Sequence, residues 1–577
     1  MIRQIIVTFF IIFIFLALVF GLLNLQVFHG TNYRQLSEKN CIRLFPQKGS
    51  RGKIIDRDGN IIVANRLSYD VLILPQDAKQ RETSLVKLGQ LLEVDYKDLK
   101  KAYREGLVSV SVPVTVVRNI NYKKAIALEE LKFELPGVMI QPNPVRHYIY
   151  GGLACHILGY LNEIDRWRLT KLEDYGYKTK DIVGFGGVEE KYDYYLRQEE
   201  GGLSVEVDHR GRQVRLLGFR PPLNGKDVEL TIDLKVQQIV ENKLGKRKGS
   251  VVLMDAFTGE IIAMASSPGF NPEVFIEKQN SAISDLFKDK DSPLINRAIS
   301  SAYPPGSIFK AIVALAALEE RKINSSTTYI CQGKVLVGKK EFACWSTHGP
   351  QDLNLAIAHS CNTYFYKTGL LLGGDEIYDY AYKFGLGKST GFDLSYEVSG
   401  LLPSPLWKRL NKFQKWFDGD TANFSIGQGD LLATPLQMTR MMAVFANDGF
   451  LVTPHIIRSI AGKDPASSVR RNYRLNIKSG NLNIVKQGLR SVVNFSSGTG
   501  NVLSGLGVEV SGKTGTAQSP PGLAHAWFVG YFSYKGSKVV MCVFLEHGGP
   551  GYYSCVVAKE IIGEIIKYTK EGRFNET

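Results

Sequence analysis

Apolar residues along this chain form one long run, several short runs with strand-like spacing, and one helix that is apolar on every side. The long run covers residues 5–23, carries no charge and is interrupted only by Thr8 and Gly21. A helix of this length spans a bilayer, so the run predicts a transmembrane segment. No small-residue cleavage site follows it, which favours an uncleaved single-pass anchor with residues 1–4 in the cytoplasm and the remaining chain outside it.

Residues 24–225 alternate short predicted strands and helices and contain no catalytic grouping. The turn signal Asp58-Gly59 stands between two pairs of isoleucines and predicts a β-hairpin over residues 54–62. A strand is predicted at 69–74, and one or two helices at 81–105. We expect this region to form an elongated α+β pedestal or dimerisation domain.

From residue 226 the pattern is that of one domain with sheet at both ends and a mostly helical section between them. The predicted strands cover 249–255, 260–265, 507–511, 526–531 and 538–545, and a helix is predicted at 554–568. The first two strands are joined by a tight turn, which indicates an antiparallel sheet. The expected fold class is α+β, with a cleft where helices meet the sheet, a domain end at 570 and a tail at 571–577.

The helix that is apolar on every side begins at Ser307, directly after Pro304-Pro305-Gly306, and Lys310 is its one polar residue before Leu318. Burial disfavours a charged amine, so Lys310 is expected to be a neutral base. Ser307 shares a helix face with Lys310 and lies at the helix N-terminus, where negative charge is favoured. The pattern indicates a nucleophile beside its base. An N-capping serine with a lysine that reaches the surface is the alternative.

Two further motifs favour the catalytic interpretation of Ser307 and Lys310. Ser360-Cys361-Asn362 is predicted at a junction between two helices, and Lys513-Thr514-Gly515-Thr516 at the end of a strand that runs from Val508. Ser-x-x-Lys, Ser-x-Asn and Lys-Thr-Gly, in this order, are the motif set of penicillin-binding proteins and serine β-lactamases.

With these motifs in place, the chain resembles a class B penicillin-binding protein, a monofunctional peptidoglycan D,D-transpeptidase, over nearly its full length. Within the class, His156 to Tyr160, Gly187-Val188-Glu189, and Val205 to Asp208 with Gly211-Arg212 resemble the elongation-type penicillin-binding protein 2. The division-type enzyme is the near alternative. The other segments that carry the likeness are residues 51–59, 296–298, 303–310, 424–429, 434–437 and 525–528.

The resemblance implies that Ser307, deprotonated by Lys310, attacks the penultimate D-Ala carbonyl of a stem peptide, and that Ser360 and Lys513 relay the proton to the leaving amine. It also implies an oxyanion hole formed by the backbone N–H groups of Ser307 and Thr516. The substrate-binding residues that it implies are Asn362, Thr514, Gly515 and Thr516.

The implied partners are peptidoglycan stem peptides, β-lactams that trap Ser307, a SEDS-family glycosyltransferase and other rod-complex proteins. No cofactor is required for this chemistry. The net charge of +15 comes without a dense basic block or a nucleic-acid motif, so no nucleic-acid partner is expected. Anionic lipid, an anionic polymer or ordinary solvation accounts for the charge. A D,D-carboxypeptidase on the same fold and a scaffold that activates the glycosyltransferase are the alternative functions.

Seven scattered cysteines do not form a disulfide framework, but four residues before and within the Ser360 motif form a candidate metal set. Three cysteines and a histidine are ligands that a tetrahedral zinc ion accepts. A Cys331–Cys344 disulfide and free thiols are the alternatives. The four candidate ligands are Cys331, Cys344, His348 and Cys361.

Overall fold

The computed structural model describes residues 2–34, 42–73, 75, 81–107, 113–135, 137–207, 213–464, 472–519 and 522–574. The described chain forms two compact units, and each unit is assembled from segments that are far apart in sequence. The first contains Met1–Gly52, Asn65–His147 and Arg197–Gly225, and the second Lys53–Ala64, Tyr148–Leu196 and Lys226–Thr577. Residues named in the sequence predictions that lie outside the described ones include Met1, one of the seven cysteines (Cys41), Leu74, Asp208, Gly211, Arg212 and 575–577.

The first unit begins with the helix Ile2–Leu23, which continues as a π-helical turn over Asn24–Phe28. Its side chains are exposed all round, and almost all of them are apolar. By length and composition it is able to cross a membrane, which agrees with the predicted segment at 5–23 except that the helix starts three residues earlier.

The rest of the first unit contains strands and helices with one shared core. Val71 and Ile73, near the end of the strand Ile61–Ile73, pack with Leu88 and Leu99 on two of the helices. A three-stranded antiparallel sheet has the order Ile42–Gln47, Gly201–Val207, Gln213–Arg220. The other elements are the helices Arg81–Leu92, Tyr96–Gly106 and Tyr122–Glu130, the 3₁₀ turn Lys132–Glu134, and the strands Val114–Ile120 and Val138–Tyr148.

The second unit is built on a five-stranded antiparallel sheet whose two faces are both covered. Its strands lie in the order Ile261–Ser267, Gly249–Asp255, Ser537–Leu545, His525–Tyr534, Val510–Ala517. Side chains alternate between the faces: Phe528 packs with the helices Leu234–Leu244 and Tyr552–Phe574, while Trp527 and Val529 pack with the helical section. The sheet therefore separates two hydrophobic cores, and its last strand is an edge.

The helical section supplies the other wall of the second unit. The helix predicted to be apolar on every side is Lys310–Glu319, and it is preceded by the 3₁₀ turn Gly306–Phe309. The helices of the section are Glu273–Ile276, Asn280–Lys288, Lys310–Glu319, Leu353–Ala358, Asn362–Leu372, Gly374–Lys383, Pro405–Lys412, Asp418–Ser425, Pro435–Ala446 and Ser479–Asn494, with a 3₁₀ turn at Asn501–Leu503.

Short strands and turns complete the second unit. Their paired strands are Ile54–Ile55 with Ile61–Ile73 and with Val228–Leu230, Val228–Leu230 with Ile457–Ile460, Tyr160–Glu163 with Ile182–Phe185, Tyr329–Cys331 with Gly349–Gln351, Lys334–Val337 with Lys340–Ala343, and Phe450–Leu451 with Tyr473–Arg474. The short helices and turns are Cys155–Leu158, Arg166–Leu172, Glu173–Tyr175, Gly187–Lys191 and Asp193–Leu196.

Two predicted boundaries were wrong. The strand predicted at 507–511 is Val510–Ala517, so the Lys-Thr-Gly motif lies within the strand rather than at its end. Pairing with the strand His525–Tyr534 continues past Gly515 to Ala517 and keeps the motif extended. The last helix runs from Tyr552 to Phe574, which makes the first part of the predicted tail helical.

Candidate active site

The serine turn, Gly306–Phe309, begins the fully apolar helix as a 3₁₀ segment rather than as an α-helix. Its start is fixed by a backbone hydrogen bond, in which the Gly306 N–H donates to the Gly427 carbonyl at 2.9 Å. In a 3₁₀ turn the side chains at i and i+3 lie almost directly over one another. The side chains of Ser307, which is half-buried, and Lys310 therefore leave the backbone on the same side of the turn.

Lys310 is fully buried, as its apolar surroundings in the sequence predicted. Its Nζ donates to the carbonyl of Ser360 at 2.8 Å and to Oδ1 of Asn362 at 2.7 Å, and it lies 3.3 Å from Oγ of Ser360. Burial lowers the pKa of Lys310 to about 7. The neutral amine, with the lone pair that a general base requires, is therefore accessible near neutral pH.

Ser360 lies where the helix Leu353–Ala358 ends and the helix Asn362–Leu372 begins. Its backbone is in the left-handed region, with φ of 54°, a conformation that costs a residue with a side chain about 1–2 kcal/mol. In this conformation both its carbonyl and its hydroxyl lie within reach of the Lys310 amine. The Ser-x-Asn motif thus surrounds Lys310 with oxygen atoms.

Lys513 is a second fully buried lysine, on the edge strand Val510–Ala517. It is paired across the sheet with Val529, on the face that meets the helical section. Its Nζ donates to the Thr514 carbonyl at 3.2 Å. Burial, and next the positive charge of Lys310, hold the pKa of Lys513 well below its ordinary value. The positive charge of Lys310 therefore makes the protonated form of Lys513 less favourable.

Gly515 brings the edge strand against the serine turn. A Cβ at this position would lie 2.9 Å from the Pro305 carbonyl oxygen and 3.1 Å from a side-chain carbon of Ile308, which leaves no room for a side chain. A Cβ on Gly306 would in turn lie 3.2 Å from the Thr516 carbonyl oxygen. The structure thus brings the Ser-x-x-Lys and Lys-Thr-Gly motifs into backbone contact.

The two motif threonines differ in exposure and in partners. Thr514 is buried, and its hydroxyl donates to Oγ1 of Thr499 at 2.7 Å. Thr516 is exposed, and its hydroxyl accepts a hydrogen bond from the Gly551 N–H at 2.9 Å. The sequence predictions missed Thr499 and Gly551. A Ser/Gly-rich turn around Thr499 was the only signal, and it does not specify a contact with a distant strand.

The four candidate metal ligands converge beside this site, with their ligand atoms all within 4.8 Å of one another. Nδ1 of His348 lies 3.5 Å from Sγ of Cys331 and 3.6 Å from Sγ of Cys344. Cys331 and Cys344 are free thiols, so the predicted disulfide alternative is not present. A hydrogen bond between the Cys344 and Cys361 thiols lowers the pKa of Cys344 and raises the pKa of Cys361.

The site combines a serine, two lysines of depressed pKa and an open strand edge. This combination is typical of one class of protein. These groups form a site for acyl transfer to a serine, in which an extended peptide can pair with the edge of the sheet.

Comparison with known proteins places the chain within that class. Residues 249–567 match the penicillin-binding protein transpeptidase domain, and residues 46–230 match the penicillin-binding protein dimerisation domain. The peptidoglycan D,D-transpeptidase MrdA of Acinetobacter baumannii is 32% identical over 560 residues, which cover 93% of this chain and 83% of the relative.

Two solved structures resemble this chain over most of its length. A complex of penicillin-binding protein PBP2 with MreC from Helicobacter pylori has a TM-score of 0.79 at 27% identity, covering 91% of this chain and 99% of that one. A peptidoglycan synthase complex that coordinates polymerization and crosslinking has a TM-score of 0.72 at 30% identity, with 97% of both chains covered. This chain belongs to the penicillin-binding protein transpeptidase family, an enzyme family that works without a cofactor. The predicted family and fold class are confirmed.

Replacing Gly515 by Ala tests the contact between the edge strand and the serine turn. The added methyl group must move the Pro305 carbonyl or Trp527, so we expect the rate of Ser307 acylation by penicillin to fall at least about tenfold. Gly480→Ala is the matched control, because its Cβ meets nothing within 4 Å. Equal acylation rates for the two variants would contradict the contact.

Lys310→Arg tests whether a neutral amine is needed next to Ser307. A guanidinium stays protonated at any accessible pH, so the variant keeps the positive charge but cannot accept a proton. We expect acylation by penicillin to fall by about 100-fold or more, measured by stopped-flow or gel labelling of the full-length protein. Acylation within a few fold of wild type would exclude Lys310 as the base.

Proposed function

We propose that this chain is a peptidoglycan D,D-transpeptidase of the elongation type, which cross-links stem peptides through an acyl-enzyme on Ser307. The observation that carries the proposal is the buried Lys310 amine, one turn from Ser307 and in hydrogen-bond contact with Ser360 and Asn362. Relatives described as MrdA and as PBP2 support the peptidoglycan substrate and favour the elongation type over the division type.

In the first half-reaction the Lys310 amine takes the Ser307 proton, and Oγ attacks the penultimate D-Ala carbonyl of a donor stem peptide. The developing oxyanion lies between the backbone N–H groups of Ser307 and Thr516, a contribution of about 3–4 kcal/mol per donor in serine enzymes. Ser360 and Lys513 pass the proton to the nitrogen of the terminal D-Ala, and the C–N bond breaks. An ester on Ser307 and a free D-Ala remain.

In the second half-reaction an amine of a neighbouring strand attacks the ester. A new amide forms, the ester bond breaks, and the proton of the amine returns to Oγ of Ser307. We assign the substrate amide to Asn362, and the terminal carboxylate to Thr514, Gly515 and Thr516. Water in place of the amine would give D,D-carboxypeptidase activity, the alternative on the same site. β-Lactams acylate Ser307 as mimics of the D-Ala-D-Ala terminus.

The N-terminal apolar helix supports a single-pass anchor in the cytoplasmic membrane with the catalytic unit outside the cytoplasm. We assign residues 24–225 to a pedestal and 226–570 to the transpeptidase domain. Relatives solved with MreC and within a peptidoglycan synthase complex support partnership with rod-complex proteins and a SEDS-family glycosyltransferase.

The test of the proposed function is labelling of the full-length protein with a fluorescent penicillin and cross-linking of peptidoglycan strands. We expect wild type to do both and Ser307→Ala to do neither, because the acyl-enzyme cannot form. Ser504→Ala, at an exposed serine, is the matched control and keeps both activities. Cross-linking by Ser307→Ala at the wild-type rate would overturn the proposal.

A second proposal concerns the residues Cys331, Cys344, His348 and Cys361, which we infer hold a structural zinc ion. Zinc bonds of about 2.3 Å to sulfur and 2.0–2.1 Å to nitrogen, at the tetrahedral angle, separate the two ligand atoms by about 3.5 Å. The separations of His348 Nδ1 from the two cysteine sulfurs match this value. The ion would stabilise the Ser360 junction, because the Asn362 N–H donates to Sγ of Cys344 at 3.2 Å.

Elemental analysis of purified full-length protein tests the zinc site. We expect one zinc per chain in wild type and in Cys155→Ser, and loss of zinc with a lower melting temperature in Cys344→Ser, because three ligands hold the ion less tightly than four. Metal-free wild type that melts at the same temperature with and without added zinc would exclude the site.

A further inference from the structure

One exposed segment of the second unit, residues 405–417, has no role in the chemistry above. This segment, the basic arm, consists of the helix Pro405–Lys412 and the five residues after it, and contains four basic and no acidic residues. Four large apolar side chains along the arm are exposed, two on the helix and two after its end at Lys412. These side chains are Leu406, Leu410, Phe413 and Phe417, exposed by 55, 61, 89 and 63%.

Only two of the four basic side chains form ion pairs with acidic residues in the described part of the chain. Lys408 is buried and lies 2.6 Å from Asp420, and Lys412 lies 2.5 Å from Asp430. Arg409 and Lys415 are exposed, and neither forms an ion pair within the described part of the chain. The arm therefore combines unpaired positive charge with exposed apolar surface, which a protein without a partner at this place tends to avoid.

The arm is attached to the wall of the candidate active site. Asp430, the partner of Lys412, lies three residues after Gly427, whose carbonyl accepts the N–H of Gly306 next to Ser307. Three residues span at most about 10 Å, so Asp430, which pairs with Lys412 of the arm, lies within about that distance of Gly427. An extended stem peptide of five residues is roughly 17 Å long and covers that distance.

We propose that the basic arm binds the glycan strand and stem-peptide carboxylates of the peptidoglycan whose peptide occupies the Ser307 site. Arg409 and Lys415 attract the carboxylates, and the four exposed apolar side chains contact the apolar faces of the sugar rings. This inference rests on the proposed function and adds to it the part of the substrate that lies beyond the reacting peptide bond. It also accounts for part of the net charge of +15 by attraction to an anionic polymer.

A lipid surface is the competing partner for a segment that is both basic and apolar. The structure favours the glycan strand, because the ion pairs Lys408–Asp420 and Lys412–Asp430 hold the arm on the same wall as the serine turn. A membrane bound to this face would lie against the rim of the candidate active site, which the substrate has to cross. The two partners differ in whether the effect of the arm requires lipid.

The test compares full-length wild type in neutral detergent with the double variant Arg409→Glu/Lys415→Glu and with Phe413→Ser. We expect the KM for peptidoglycan strands to rise about tenfold in the charge variant with kcat changed less than twofold, because the arm binds the strand and does not touch the reacting atoms. Raising the salt concentration should increase the KM of wild type but not that of the charge variant. Phe413→Ser should raise KM without a change in salt dependence.

Lys559→Glu/Lys567→Glu is the matched control, since it makes the same charge change at exposed positions on the helix Tyr552–Phe574. An unchanged KM in the arm variants, or an equal rise in the control, would overturn the inference. So would an effect seen only in vesicles of anionic lipid. Penicillin acylation of Ser307 is measured in parallel, and its absence in wild type would refute the proposed function rather than the role of the arm.

Discussion

Burial of the Lys310 amine is the constraint on which the catalytic unit depends. A charged amine in an apolar helix is strongly disfavoured, so the proton is held weakly and the nitrogen becomes a base near neutral pH. Such a group is tolerated because oxygen atoms of Ser360 and Asn362 accept its hydrogen bonds. The left-handed backbone of Ser360 is part of the same arrangement, since its carbonyl has to face the amine.

A second buried lysine responds to this arrangement. Burial, and next the positive charge of Lys310, disfavour the charged form of Lys513 in an interior of low dielectric. The contact that brings them together is made by backbone, because Gly515 and Gly306 leave no side chain between the edge strand and the serine turn. The close approach of these two backbone segments therefore lets the charge of Lys310 lower the pKa of Lys513.

The sequence predicted the family better than it predicted the local geometry of the candidate site. Spacing placed Ser307 beside Lys310, and the order of three motifs indicated the family. The 3₁₀ form of the serine turn was not predictable, because it depends on a hydrogen bond to Gly427, more than a hundred residues away. Convergence of the cysteines depends on strand pairing: Cys331 opposes Gly349, which places it beside His348. Spacing alone does not specify such a register.

The pH dependence of the rate of Ser307 acylation by penicillin tests the central claim most directly. If the base is a buried amine with a pKa of about 7, the rate rises along a single titration curve with its midpoint near that pH and becomes constant about two pH units above it. A rate that is still rising at pH 9, with a midpoint near the ordinary lysine pKa of about 10.4, would contradict the account, because Lys310 would then be charged in the resting enzyme.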